Sequence, residues 1–338
     1  AQRDPEALRA WRETLRPSIE RCYKEQYVFF EQFQSLRTAC TAHDIQLMGD
    51  VPIYVAHDSV DVWANRSLFT LNDDGTLLVQ AGVPPDYFSA TGQRWGNPLY
   101  HWDKMAQENY AWWSDRLKRA LNQADVFRID HFRGFAGYYE IPASCPTAEE
   151  GRWIPGPGKA LFEAIEHTLG RLPIVAEDLG LITEDVIALR DCFAFPGMKI
   201  LQFGFGTDGT DDFLPHNWGR NFVAYTGTHD NDTVHGWWDS ASERERVYAG
   251  SYLATDADNA HWAMIRACCN SVANIAVFPL QDVLGLDGAH RMNVPGTIGA
   301  HNWTWRFHWD WLGSEPARVL GLISAASGRA PVTLLPLP

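Results

Sequence analysis

The chain reads as an α/β protein, a (β/α)₈ TIM-type barrel carrying inserted subdomains. Short apolar runs that end in a polar or charged residue recur at 45–50, 126–130, 173–178, 198–203, 222–226 and 275–280. Helix-like stretches at 105–122, 158–170, 183–193 and 257–272 separate most of them. Strands apolar on both faces that alternate with helices imply a parallel sheet covered on both sides. The carboxyl ends of these runs carry Asp50, Asp130, Glu177 and, just past one of them, His229 and Asp230. That is the rim on which such a barrel places its functional side chains.

Taken in order, the elements begin with Asp4, Pro5 and Glu6, a cap followed by proline at the first helical position. From 19 to 36 the residues Cys22, Tyr27, Phe29, Phe30 and Phe33 recur at near-helical spacing, so residues 1–44 form a helical lead-in. The barrel is expected over 45–312. Within it, 54–104 is too long for a plain connection and too rich in Gly and Pro for one helix, and it reads as a lid-like insertion on the first visible strand. Residues 313–338 make a C-terminal helix and a Pro-rich tail. Six strands are visible where eight close a barrel, and the chain opens on Ala1, so the expectation is a barrel lacking its first two strands.

Composition narrows the function. Among 338 residues, 28 Lys+Arg face 42 Asp+Glu, a formal net charge of −14, which argues against a nucleic-acid backbone as partner. No run approaches the roughly 20 apolar residues that span a bilayer, and no signal peptide opens the chain. The six cysteines form no C-x-x-C pair and read as reduced core thiols, which places the protein in the cytoplasm. There are 15 Trp, 17 Phe and 11 Tyr, and Tyr87, Phe88, Trp95, Tyr100, Trp102, Trp237 and Trp238 sit beside loop-forming neighbours. Loop aromatics among polar residues suit a ligand that is flat and polar at once, such as a sugar.

Three segments could carry chemistry. In 127–134 (FRIDHFRG), Arg128 and Asp130 share one strand face, and the guanidinium favours an ionised carboxylate fit to be a nucleophile or a metal ligand. A plain rim ion pair is the bland alternative. In 174–180 (IVAEDLG), Glu177 follows an apolar strand, where desolvation would keep it protonated near neutrality; a helix cap is the alternative. In 225–233 (YTGTHDNDT), the dense polar run suits a hydroxyl-rich ligand, a metal site joining Asp130 and His131, or simply a turn. Three carboxylates on separate strand ends are what retaining glycoside chemistry requires, with the two reacting carboxyls about 5–5.5 Å apart. H-x-H and H-x-x-x-H spacings are absent, so glycoside chemistry leads and metal chemistry stays open.

Longer motifs then match a family. Residues 49–53 (GDVPI), 82–89 (GVPPDYFS), 91–100 (TGQRWGNPLY), 128–135, 141–146 (IPASCP), 176–180, 196–199 (PGMK), 226–233 and 291–293 (RMN) resemble, in order, the 4-α-glucanotransferases called amylomaltases or disproportionating enzymes. The resemblance runs from about residue 25 to 312. It implies a cofactor-free, metal-free enzyme that transfers a segment of a 1,4-α-D-glucan to the 4-hydroxyl of another glucan or of glucose by a retaining double displacement. α-1,4-Glucans and malto-oligosaccharides would be its partners, with no nucleic acid, membrane or obligate protein. It implies Asp130 as nucleophile, Glu177 as acid/base, Asp230 as transition-state stabiliser and Arg128 as the residue that orients Asp130. Asp50, His131 and His229 would meet the sugar at the cleavage point, and Asn302 would contact the glucan. Asp86, Tyr87, Phe88, Gln93, Arg94 and Trp95 would belong to a covering loop. Family members carry roughly another 150 residues ahead, including two barrel strands, and the tail from Ala330 matches nothing in them. An α-glucan hydrolase of the α-amylase clan, a metal-dependent hydrolase and a non-catalytic glucan-binding remnant are the alternatives.

Overall fold

The computed structural model describes residues 3–85 and 89–330. They divide into two compact units, one ending at Phe195 and the other beginning at Pro196. The α/β class holds in both.

The first unit opens on the helix Pro5–Thr14, whose cap is Asp4: its side chain accepts from the backbone N–H of Glu6 and Ala7. The helix Arg16–Ala42 follows and buries none of its residues, so the apolar spacing of Tyr27, Phe29 and Phe30 lies on an exposed face. Arg37 anchors this helix, donating to the carbonyl of Leu121 at 3.1 Å and pairing with Asp125 at 2.5 Å. Asp125 in turn accepts from the backbone N–H of Leu47 at 2.8 Å, at the approach to β1 (Met48–Pro52).

Two sheets follow. β2 (Val79–Val83), β3 (Gln93–Arg94), β5 (Gly137–Pro142) and β6 (Arg152–Pro155) form an antiparallel sheet in the order β3-β2-β5-β6. The insertion foreseen at 54–104 therefore shares its sheet with 137–155. Gly92 closes the turn beside it at φ +69°, and an added Cβ would meet the Val83 carbonyl oxygen at 2.5 Å and Ala148 Cβ at 2.7 Å. Gly92→Ala should destabilise this unit by roughly 2–4 kcal/mol, read as a lower denaturant midpoint; an unchanged midpoint would mean the turn relaxes freely.

The other sheet is parallel: β1, β4 (Val126–Asp130) and β7 (Ile174–Ala176), in the order β1-β4-β7. Phe127 and Ile129 of β4 are fully buried with Trp113, Leu117, Phe132 and Phe162. Each such side chain contributes about 2–3 kcal/mol by leaving water. Alternation then turns Arg128 and Asp130 to the opposite face. The stretch expected to be one helix at 105–122 is two, Trp102–Gln107 and Ala111–Gln123, because Asn109 and Tyr110 between them take φ of 52° and 53°.

The second unit has its own parallel sheet, β10 (Ile275–Val277), β9 (Phe222–Tyr225) and β8 (Gly197–Ile200), in the order β10-β9-β8. The strand expected to reach 203 stops at Ile200 and tightens into the 3₁₀ turn Leu201–Phe205. All six parallel strands anticipated from the sequence are present, three to each unit. A closed eight-stranded barrel is not what their hydrogen bonding shows among the described residues. No helix among these residues is long and apolar enough to cross a membrane.

Two further expectations change. Cys145, Cys268 and Cys269 are buried, but Cys22 and Cys192 are exposed and Cys40 is half-buried. Tyr100 and Trp238, expected as loop aromatics, are buried; the Tyr100 hydroxyl donates to the Ile53 carbonyl at 2.6 Å, and Trp238 belongs to the second unit's core.

Candidate active site

Register builds the site in the first unit. β1 aligns Asp50 with Arg128 and Pro52 with Asp130, and β4 aligns Ile129 with Ala176. One step further on, the Glu177 N–H donates to the Ile129 carbonyl at 3.0 Å and the Phe132 N–H donates to the Glu177 carbonyl at 3.1 Å. Paired residues of parallel strands share a face, so Asp50, Arg128, Asp130 and Glu177 emerge at the same carboxyl edge.

Arg128 organises them. Its Nη2 lies 2.6 Å from Asp130 Oδ1, while Nη1 reaches both oxygens of Asp50 at 2.9 and 2.7 Å. The guanidinium is buried, whereas the Asp130 side chain keeps 44% of its surface exposed. Burial opposes the charge on Arg128, but Asp130, Asp50 and Glu177 outweigh it and hold its pKa above the ordinary value. Asp130 is thus an accessible carboxylate with a fixed cation behind it.

Glu177 stands in the opposite condition. Desolvation, reinforced by the charge of Asp130, lifts its pKa to about 7, against the lowering influence of Arg128 and two backbone donors. Those donors are the N–H of His131 on Oε2 at 2.6 Å and of Leu179 on Oε1 at 2.9 Å. His131 makes the first from the left-handed conformation, φ 52°. Neighbouring Asp178 is drawn away into a buried ion pair with Arg190. Asp130 and Glu177 are thereby set apart, one exposed and ion-paired, the other desolvated and holding its proton up to about pH 7.

His131 completes this edge. Burial, helped by Arg133, pushes its pKa down to about 4 although Asp130 opposes, so the ring is neutral at pH 7. Its Nε2 is buried without a hydrogen-bond partner among the described residues. Trp95 meets the ring edge-on at 4.8 Å between centroids, and Gln93 accepts from the Trp95 indole at 3.2 Å. Arg94 points elsewhere, donating to the Pro146 carbonyl. Asp86, Tyr87 and Phe88 lie outside the described residues.

The second unit holds the other candidates. Between β9 and the helix Val234–Ser240, residues 226–233 form a turn in which Asn231 Oδ1 accepts from the N–H and hydroxyl of Thr228. Asn231 therefore shapes the loop, and His229 and Asp230 are presented by it. Asp230 Oδ2 lies 3.3 Å from His229 Nε2, Oδ1 accepts from Asn293 Nδ2 at 2.7 Å, and its carbonyl accepts from Arg291 at 2.6 Å. Arg291 also donates to the Asn293 carbonyl, so the 291–293 segment braces Asp230 at two points and is itself tied together. The sequence offered these two residues only as part of a matching motif, without a role. Asn302 has its side chain committed to its own loop: Oδ1 accepts from Val294 N–H, and Nδ2 donates to the carbonyl and hydroxyl of Thr297. The exposed ring of Trp303, at 5.1 Å from His229, is the neighbouring surface the sequence reading did not single out. Among the described residues no three His, Cys, Asp or Glu side chains gather closely enough to hold a metal ion.

The profile of the glycoside hydrolase family 77 4-alpha-glucanotransferases matches residues 1–312. The chain belongs to this family. It is 48% identical to the 4-alpha-glucanotransferase of Synechocystis sp. over 333 residues, covering 97% of this chain and 66% of that protein. It is 46% identical to the 4-alpha-glucanotransferase of Thermus thermophilus over 337 residues, covering 97% and 67%. Among solved structures, amylomaltase from Streptococcus agalactiae in complex with acarbose superposes with a TM-score of 0.94 at 39% identity, covering 97% of this chain and 67% of that one. The chain thus spans about two thirds of the length of these family members.

Proposed function

We propose that this family member carries the catalytic machinery of a 4-α-glucanotransferase, moving a segment of a 1,4-α-D-glucan to the 4-hydroxyl of another glucan or of glucose with retention. The carrying observation is the opposed surroundings of two carboxyls on one sheet edge: Asp130, exposed and ion-paired with Arg128 at 2.6 Å, and Glu177, desolvated with its pKa lifted to about 7. An ionised carboxylate attacks the anomeric carbon. A protonated one gives its proton to the departing 4-oxygen, then takes the proton of the incoming hydroxyl when the glycosyl–enzyme ester is resolved. Neither step calls on a cofactor.

In this reading Asp130 is the nucleophile, Glu177 the acid/base, and Asp230 the carboxylate that stabilises the oxocarbenium-like transition state. Arg128 pairs with Asp130 and aims it. Neutral His131, with a buried Nε2 free to bond a hydroxyl, and Asp50 serve sugar recognition at the same edge. His229 and Trp303 flank Asp230 in the second unit. The Streptococcus agalactiae amylomaltase is in complex with acarbose, and the proposed site here would accept the same ligand. The antiparallel sheet that presents Trp95 beside His131 would serve as the cover that keeps water from the ester, which favours a sugar acceptor over hydrolysis. The finer architecture we propose is a barrel region over 45–312 between a helical lead-in and a C-terminal helix, in a cytoplasmic enzyme.

Incubation with maltotriose, without phosphate, nucleotide or metal, tests this directly. Glucose together with a ladder of longer malto-oligosaccharides is the expected result. Glucose and maltose without a ladder would make the chain a hydrolase, and a requirement for added metal would overturn the carboxylate mechanism.

A further inference from the structure

The carboxyl group of Asp282 is almost completely buried in the second unit, 1% exposed, in the short helix that follows β10. Nothing in the proposed chemistry uses it. Its two oxygens take two different partners. Oδ2 accepts from the Thr226 hydroxyl at 2.6 Å, and Oδ1 accepts from the backbone N–H of Val234 at 2.8 Å. Thr226, itself fully buried, is the residue just past β9; Val234 is the first residue of the following helix. Between them lies the loop that carries His229 and Asp230.

We propose that Asp282 is a positioning residue, a buried clamp that closes both ends of the 227–233 loop and so fixes where Asp230 stands. The proposal rests on the transition-state role given to Asp230. Its physical basis is the cost of burying a carboxylate, which is tolerated only when both oxygens are satisfied by well-placed donors. Desolvation lifts the Asp282 pKa to about 6, while the Thr226 and Val234 donors oppose that rise, so at pH 7 the ionised form, able to accept from both, prevails. A group that gains only when both loop ends are in register holds them in register. Gln202 adds a third tie, donating to the Asp232 carbonyl at 2.9 Å, and Thr233 caps the helix by accepting from Gly236 N–H at 3.0 Å.

The test uses Thr226→Val, which removes one donor without touching the carboxylate, Thr226→Ser, which keeps it, and Asp282→Asn, which preserves shape but cannot accept at both atoms. Maltotriose turnover and amide hydrogen exchange over 227–234 are measured together. We expect Thr226→Val and Asp282→Asn to lower kcat about tenfold or more with KM shifting less than about threefold, and Thr226→Ser to restore the wild-type rate. Adding Thr226→Val to Asp230→Asn should cost no more than about a further twofold, because both act through the same side chain. Losses that multiply in the double variant, or a Thr226→Val enzyme with wild-type kcat, overturn the clamp. An Asp230→Asn enzyme with wild-type kcat instead removes the role of Asp230, and exchange then decides the clamp alone. Exchange also decides if the wild-type chain turns over no maltotriose: faster exchange at Val234 and through the loop in Thr226→Val but not Thr226→Ser supports it, and unchanged exchange overturns it.

Discussion

Asp130→Asn is expected to lower transfer by about 10⁴-fold or more while leaving glucan binding within a few-fold of wild type. The loss follows from chemistry: an amide cannot attack the anomeric carbon and form the ester. The retained binding follows from the way the ion pairs are shared. Arg128 pairs with Asp50 at 2.7 Å as well as with Asp130, so the substitution does not strand a buried guanidinium. Breaking such a pair from the other side is different. Arg128→Leu removes the cation that Asp50 and Asp130 share, and because both carboxylates are 44% exposed the unit should lose only about 1 kcal/mol. Comparing the two variants separates the chemical role of Asp130 from its structural one. A second consequence is independent of turnover. The charge of Asp130 is one of the causes that raise the Glu177 pKa, so Asp130→Asn should move the Glu177 titration down from about 7, as followed by carboxyl carbon NMR. An Asp130→Asn enzyme within tenfold of wild type would remove the nucleophile assignment, and an unmoved Glu177 midpoint would show that the two carboxyls do not sense each other.

The parts of this arrangement that were legible in the sequence share a cause. The parallel strands are short apolar runs, and a residue just past the end of such a run has one place to go, so Asp130 and Glu177 could be found by position. The face shared by Arg128 and Asp130 is simple alternation. The antiparallel sheet was not legible, because its strands are two to six residues long and β2 pairs with β5 across the whole of β4, a register set by tertiary contact and not by local pattern. The break at Asn109 and Tyr110 was hidden for a related reason: Asn tolerates the left-handed conformation without requiring it, and Tyr rarely adopts it, so the pair announces a break less plainly than Gly would. Asn302, a glucan contact by the resemblance, and Asn231, part of the polar run 225–233, instead make turn hydrogen bonds within their own loops. Asp282, Arg291 and Asn293 show the converse, because what they hold lies dozens of residues away and no spacing rule connects them.

Glu177→Gln should separate the acid step from the rest. On natural glucans, whose departing 4-hydroxyl is a poor leaving group, transfer is expected to fall by about 10²–10⁴-fold. On a donor with an acidic phenol as leaving group, formation of the ester needs little protonation and that step should survive nearly intact. Equal losses on both donors would take Glu177 out of the acid role. The pH profile supplies an independent check. With the pKa near 7, the protonated form exists below that value, so kcat/KM on glucans should decline as pH rises through about 7, and the Gln variant should lose that limb. The same proton contributes to stability. The folded-state pKa lies above the ordinary value of 4.5, so between pH 4.5 and about 7 the folded chain holds a proton that the unfolded chain releases. Stability from this group is therefore complete below pH 4.5 and is lost as pH rises through about 7, an effect on the order of 3 kcal/mol. Urea titrations across that window should show a stability slope that flattens in Glu177→Gln. A slope of the same size in both proteins would mean that the buried proton belongs to another group, and the acid role would then have to be sought elsewhere on the sheet edge.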